Sequence, residues 1–193
     1  YFAAPCSGRV LHTLNIRLFP EQITYIVNHA EDEVIFVDRS LLGLLWPLVD
    51  TFTTVRHIVV MDDGKGELPT DTGGRLLHDY EALLVTDEFQ AASMCYTSGT
   101  TGNPKGVVYS HRSTWLHTMA AMMADGLGVG ERDTILPVVP MFHANAWGLA
   151  HIGVASGATL VMPGPDLSPR AIVDLIEAER VTIAAGVPTI WMG

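Results

Sequence analysis

Apolar positions along the chain follow two rhythms. Ile23, Ile26, Val27 and Ala30 recur at helical spacing behind Pro20 and Glu21, a proline and an acid suited to a helix's first turn. Residues 34–37 then run Val-Ile-Phe-Val without interruption, a short apolar strand that ends at Asp38. Residues 41–52 are apolar and predicted helical, with Pro47 kinking or splitting the helix. A strand is expected at 55–61, a solvated Gly- and acid-rich connector at 62–74, and a short helix at 75–84. Further strands are expected at 91–96, 107–109, 134–139, 158–162 and 181–184. Between them, Ser113 is expected to cap a helix carrying Trp115, Leu116, Met119, Met122 and Met123, a stripe read as core packing. Ser168-Pro169 opens another, with Ile172, Leu175 and Ile176 on its buried face.

Strands that alternate with helices, several of them continuously apolar, predict an α/β fold of parallel or mixed sheets covered by helices. No internal repeat is visible. The 193 residues are 48% hydrophobic and 17% charged, enough apolar material for a sizeable core in one domain or a large part of one. A net charge of −10 argues against broad contact with nucleic acid or an anionic membrane surface, so an anionic ligand has to be met locally. No run approaches the ~18 apolar residues of a membrane span. Cys6 and Cys95 lack metal-ligand or disulfide-framework spacing, which makes a reducing cytoplasm the default and Cys95 a buried thiol. The first residue is Tyr1 and the last five are Thr-Ile-Trp-Met-Gly, so the chain is expected to be a piece of a longer one.

The densest candidate chemistry lies in residues 97–106. Four hydroxyls (Thr97, Ser98, Thr100, Thr101), three glycines (Gly99, Gly102, Gly106) and Lys105 fall within ten residues. Glycines bring backbone N–H groups close to a ligand, hydroxyls donate to oxyanions, and lysine adds a compact positive charge. These are the parts of a phosphate cradle. It is not the usual P-loop: the glycines are spaced too closely, and Lys105 leads into apolar residues rather than a helix. In a strand–loop–strand setting, hydroxyls and loop N–H groups must carry the anion binding.

A second constellation spans residues 137–148, Pro-Val-Val-Pro-Met-Phe-His-Ala-Asn-Ala-Trp-Gly. His143 follows a strand and precedes an apolar helix, a favoured place for ligand contacts in an open α/β sheet. Trp147 is expected one helical turn on, sharing a face with His143. No Ser/His/Asp or Cys/His arrangement is visible, His111 and His151 are ambiguous, and the histidines do not read as a metal site.

Residues 96–106 resemble the signature of the adenylate-forming superfamily, which comprises acyl-CoA synthetases, luciferases and the adenylation domains of peptide synthetases. Residues 139–148 are similar to a second motif of that superfamily, in the form found in fatty-acyl-CoA synthetases, and residues 14–23 and 184–189 match segments of the same branch. The resemblance covers essentially the whole chain. It implies that residues 1–193 are the central portion of the large AMP-binding domain, with the small C-terminal domain absent. It also implies a two-step ligase reaction using ATP, Mg2+, a fatty acid and coenzyme A. Thr97 would help hold Mg2+, and Ser98, Gly99, Thr100, Thr101, Gly102 and Lys105 would meet the ATP phosphates. His143 and Trp147 would line the acyl site, Trp147 as its gate. The family's catalytic lysine has no counterpart here, so no catalytic residue is assigned and the isolated piece is expected to be inactive. The branch allows a homodimer through the large domain. Two other readings stay open: a non-catalytic module that binds nucleotide or a partner, and an adenylating enzyme for an aryl or amino acid.

Overall fold

A computed structural model of the chain describes residues 1–61, 63, 65, 87–97 and 102–192. The helix expected at 75–84, most of the connector at 62–74, and Ser98, Gly99, Thr100 and Thr101 lie outside the described residues. In chain order the elements begin with α1 (Ala3–Cys6), β1 (Leu11–His12), α2 (Pro20–His29) and β2 (Val34–Asp38). A 3-10 turn leads into α3 (Leu42–Leu45), a second 3-10 segment (Trp46–Thr51) follows, and then come β3 (His57–Met61), β4 (Ala91–Thr97) and β5 (Lys105–Ser110). The remainder is α4 (His111–Met122), β6 (Thr134–Pro137), the turn α5 (Ala144–Trp147), α6 (Leu149–Ser156), β7 (Thr159–Leu160), α7 (Pro169–Glu179), β8 (Ile183–Ala185) and α8 (Pro188–Trp191).

Among the described residues the strands form three sheets, ordered β1-β4-β5, β2-β3 and β7-β6-β8. The pairs β1·β4, β2·β3, β6·β7 and β6·β8 are parallel. This is the α/β arrangement that the continuous apolar runs predict. The chain divides into two compact units. Taking only described residues, one holds 1–13, 87–97 and 107–192, and the other holds 14–61, 63, 65 and 102–106.

In the second unit, β2 and β3 pair from Val34 opposite His57 to Asp38 opposite Met61. Their core is Ile23 and Val27 of α2, Val37, Leu42, Leu45, Val49, Phe52, Val55 and Ile58. Pro47 splits the expected 41–52 helix: the α-helix stops at Leu45 and the chain continues as 3-10.

In the first unit, the sheet β7-β6-β8 is covered on both faces. Neighbouring β6 residues point to opposite sides. Ile135 packs with Leu149 and Ile152 of α6, while Leu136 packs with Val138, Val161 and Ile172 of α7. Helix α6 rides close on β7: a Cβ at Gly153 would come within 2.6 Å of Leu160 Cδ2. The Ser168 hydroxyl accepts from the Ala171 N–H, with Pro169 opening α7 as expected.

Two expectations are corrected here. Helix α4 starts at His111, with Ser110 rather than Ser113 as its cap, because the Ser110 hydroxyl accepts the Ser113 N–H at 3.0 Å. Its apolar stripe is not core packing as a whole. Met122 packs against the Ile135–Leu149–Ile152 cluster, but Trp115 is 61% exposed, and Leu116, Met119 and Met123 are also exposed.

Candidate functional site

Strand β4 carries the first motif to the surface. Ala92, Ser93 and Cys95 are buried, and Thr97, its last residue, is exposed. Across the loop, Gly102 takes φ +143° with open space where a Cβ would sit, a backbone conformation that favours glycine. Pro104 is buried, and Lys105, the first residue of β5, is exposed. Thr97 belongs to one compact unit, and Gly102 and Lys105 to the other. Taken separately, a hydroxyl such as that of Thr97 and an ammonium such as that of Lys105 are each groups that suit phosphate oxygens. A magnesium ion carried in on phosphate needs only one or two protein oxygens, which a threonine hydroxyl can supply. Among the described residues no cluster of three or more His, Cys, Asp or Glu is placed to hold a metal ion.

The second motif departs from its expected form. His143 is exposed and extended, at φ −101° and ψ 100°. Ala144, Asn145, Ala146 and Trp147 then all take positive φ, at 46°, 52°, 52° and 54°, and Gly148 follows at 75°. These residues form one left-handed turn rather than the right-handed helix expected of them. Left-handed backbone costs about 1–2 kcal/mol per L-residue, so four non-glycine residues have to be held there by their surroundings.

Asn145 supplies much of that hold. Its side chain is only 7% exposed, and both ends of its amide are engaged. Nδ2 donates to Ser93 Oγ at 2.7 Å, and Oδ1 accepts from Cys95 Sγ at 3.0 Å. The Asn145 carbonyl accepts from the Tyr1 hydroxyl at 3.1 Å and from the Gly148 N–H at 3.0 Å. Thr13 Oγ1 lies 3.3 Å from Cys95 Sγ, closing a small polar cluster beneath the turn. Cys95 is thus the buried thiol expected of it, with a hydrogen-bond role added.

From the other side, His117 Nε2 of α4 donates to the Trp147 carbonyl at 3.0 Å. Since the carbonyl can only accept, Nε2 carries the proton. Trp147 remains 39% exposed. His151 lies against the rings of Tyr1 and Phe2, and its Nδ1 is buried without a hydrogen-bond partner. Burial, then the charge of His117, hold the His151 pKa below the ordinary histidine value.

Sequence reasoning named His143 and Trp147 but missed Asn145, Ser93 and His117. One signal was available: Asn145 and Gly148 are types that enter left-handed backbone most readily, and they stand three apart in an otherwise apolar stretch.

Known proteins resemble this chain in sequence and fold. The family model described as AMP-binding enzyme matches residues 1–193. A 3-methylmercaptopropionyl-CoA ligase of Ruegeria lacuscaerulensis is 48% identical over all of this chain and 37% of its own length. The long-chain-fatty-acid–CoA ligase of Thermus thermophilus is 48% identical over all of this chain and 35% of its own. The medium-chain-fatty-acid–CoA ligase of Ectopseudomonas oleovorans is 46% identical over all of this chain and 37% of its own. Among solved structures, ATP-bound MatB from Rhodopseudomonas palustris matches with a TM-score of 0.72 at 23% identity, over 97% of this chain and 36% of that one. The chain therefore spans little more than a third of the length of these relatives. It belongs to the AMP-binding enzyme family, the adenylate-forming superfamily that its two motifs resemble.

Proposed function

We propose that residues 1–193 are the central portion of the large adenylation domain of an ATP-dependent fatty-acid–CoA ligase. The observation that carries this reading is 46–48% identity, across the whole chain, to ligases that join carboxylic acids to coenzyme A. The exposure of Thr97 and Lys105 at the described ends of the first motif supports it.

In the first step a carboxylate oxygen attacks the α-phosphorus of ATP. The bond to the oxygen bridging the α- and β-phosphates breaks, and pyrophosphate leaves with the electron pair. In the second, the sulfur of coenzyme A attacks the acyl carbon and AMP departs, the thiol proton passing to solvent or a base. Negative charge grows on the pyrophosphate during the first step, and donors fixed around it lower that barrier. Lys105, Ser98, Thr100 and Thr101, with N–H groups of the glycine-rich loop including Gly99 and Gly102, serve that role. Thr97 would hold Mg2+, which when bound offsets phosphate charge. His143 and Trp147 face the acid, with Trp147 gating the acyl chain.

The working compartment is the cytoplasm, in keeping with two free cysteines, and the large domain allows a homodimer. A second reading keeps the chemistry and changes the acid to a short thioether carboxylate, because a relative acting on 3-methylmercaptopropionate is as similar as the long-chain ligase. Mass spectrometry of the thioester formed from an equimolar mixture of acids separates the two. A dominant medium- or long-chain acyl-CoA supports the fatty-acid reading, and a dominant methylthiopropionyl-CoA supports the other.

A further inference from the structure

We infer that Asn145 is a positioning residue for acid selectivity: it ties the left-handed turn that presents Trp147 to β4, the strand that ends in Thr97. The inference rests on the proposed function for its substrate and on geometry for its mechanism.

A run of four L-residues at positive φ reverts to right-handed or extended backbone unless something holds it. Asn145 is the residue of that run whose side chain is both buried and bonded at each end. Its two partners, Ser93 and Cys95, alternate along β4 and so share one face, and Thr97 is the next residue of that series. One amide therefore spans two rungs of the strand. A single hydrogen bond would leave the turn free to pivot about it; two fix its orientation. The carbonyl of Trp147, held by His117, is the turn's opposite anchor, and the indole stays exposed between the two. When the Asn145 amide is cut away the turn loses its hold on β4, and the indole no longer has one direction. Acid recognition then changes, whereas the ATP phosphates are met by other groups.

The test uses the full-length protein that contains this chain. Asn145→Gly keeps the permission for left-handed backbone and removes the tether. Ser93→Ala removes one partner without touching the turn, and it decides the matter if Asn145→Gly does not fold. Both variants are expected to raise the acid KM about 10-fold and flatten the preference across a chain-length panel, with the KM for ATP within about twofold. Cys95→Ser, which keeps a donor to Oδ1, is expected to retain the wild-type chain-length profile. Hydrogen exchange across residues 143–148 is expected to quicken in Asn145→Gly and Ser93→Ala whether or not the protein turns over. Unchanged exchange overturns the tether, as does a kcat lowered equally for all acids with every KM intact. If the wild type shows no acid-dependent turnover while exchange responds, the ligase reading falls and the tether stands.

Discussion

His117 Nε2 sits 3.0 Å from the carbonyl oxygen of Trp147, and the same imidazole fills the space that a side chain at Gly148 would need. A Cβ there would come within 2.7 Å of His117 Cδ2 and 2.8 Å of Nε2, on a residue at φ +75°. Gly148 is thus required twice, for its backbone and for its lack of a side chain.

Gly148→Ala is expected to destabilise the protein by about 1–3 kcal/mol, from left-handed strain plus displacement of His117. Urea unfolding measures it. In a His117→Ala background the steric part is already gone, so the added cost of Gly148→Ala should be smaller there. Strict additivity of the two substitutions would show that the residues do not meet.

Ser168→Ala removes the hydroxyl that accepts the Ala171 N–H at the start of α7, which buries Ile172 against the sheet. The expected loss is about 1 kcal/mol, and Ser168→Asp should retain most of the stability. An unchanged denaturation midpoint in Ser168→Ala would mean that the cap is made by water equally well.

His151 gives a pH dependence whose sign is fixed by its environment. Burial first, then His117, depress its pKa in the folded state. The unfolded chain therefore binds the proton more readily. The contribution of neutral His151 is complete above the ordinary value of about 6.5 and is lost as pH falls through the folded value. Thermal unfolding from pH 8 to pH 5 should show this decline, and His151→Leu should flatten it. A decline equally steep in His151→Leu would assign it to other groups.

The parts legible in the sequence are those in which one local rule decides the outcome. Pro20 and Ser168-Pro169 mark the starts of α2 and α7, and the apolar runs on either side of residues 97–106 mark β4 and β5. Strand β1 was not legible, because its two residues are defined only by pairing with Ser93 and Met94, far along the chain. Ser110 and Ser113 are both capping residues three apart, and only the hydrogen bond to the Ser113 N–H separates them. Periodicity correctly groups Trp115, Leu116, Met119 and Met123 but says nothing about whether a neighbour covers them. The left-handed turn at Ala144–Trp147 escaped for a deeper reason. Helical spacing presumes negative φ, whereas here tertiary hydrogen bonds to β4 and α4 override the backbone's own preference.

The most direct test of the central claim is pyrophosphate release by the full-length protein, supplied with Mg-ATP, coenzyme A and acids from 3-methylmercaptopropionate to long-chain fatty acids. The account predicts acid-dependent release by the wild type. It also predicts a loss of about 100-fold in kcat for Lys105→Ala, with Thr97→Ala impaired in its response to Mg2+. Failure of every acid to elicit pyrophosphate, or full activity in Lys105→Ala, would contradict it.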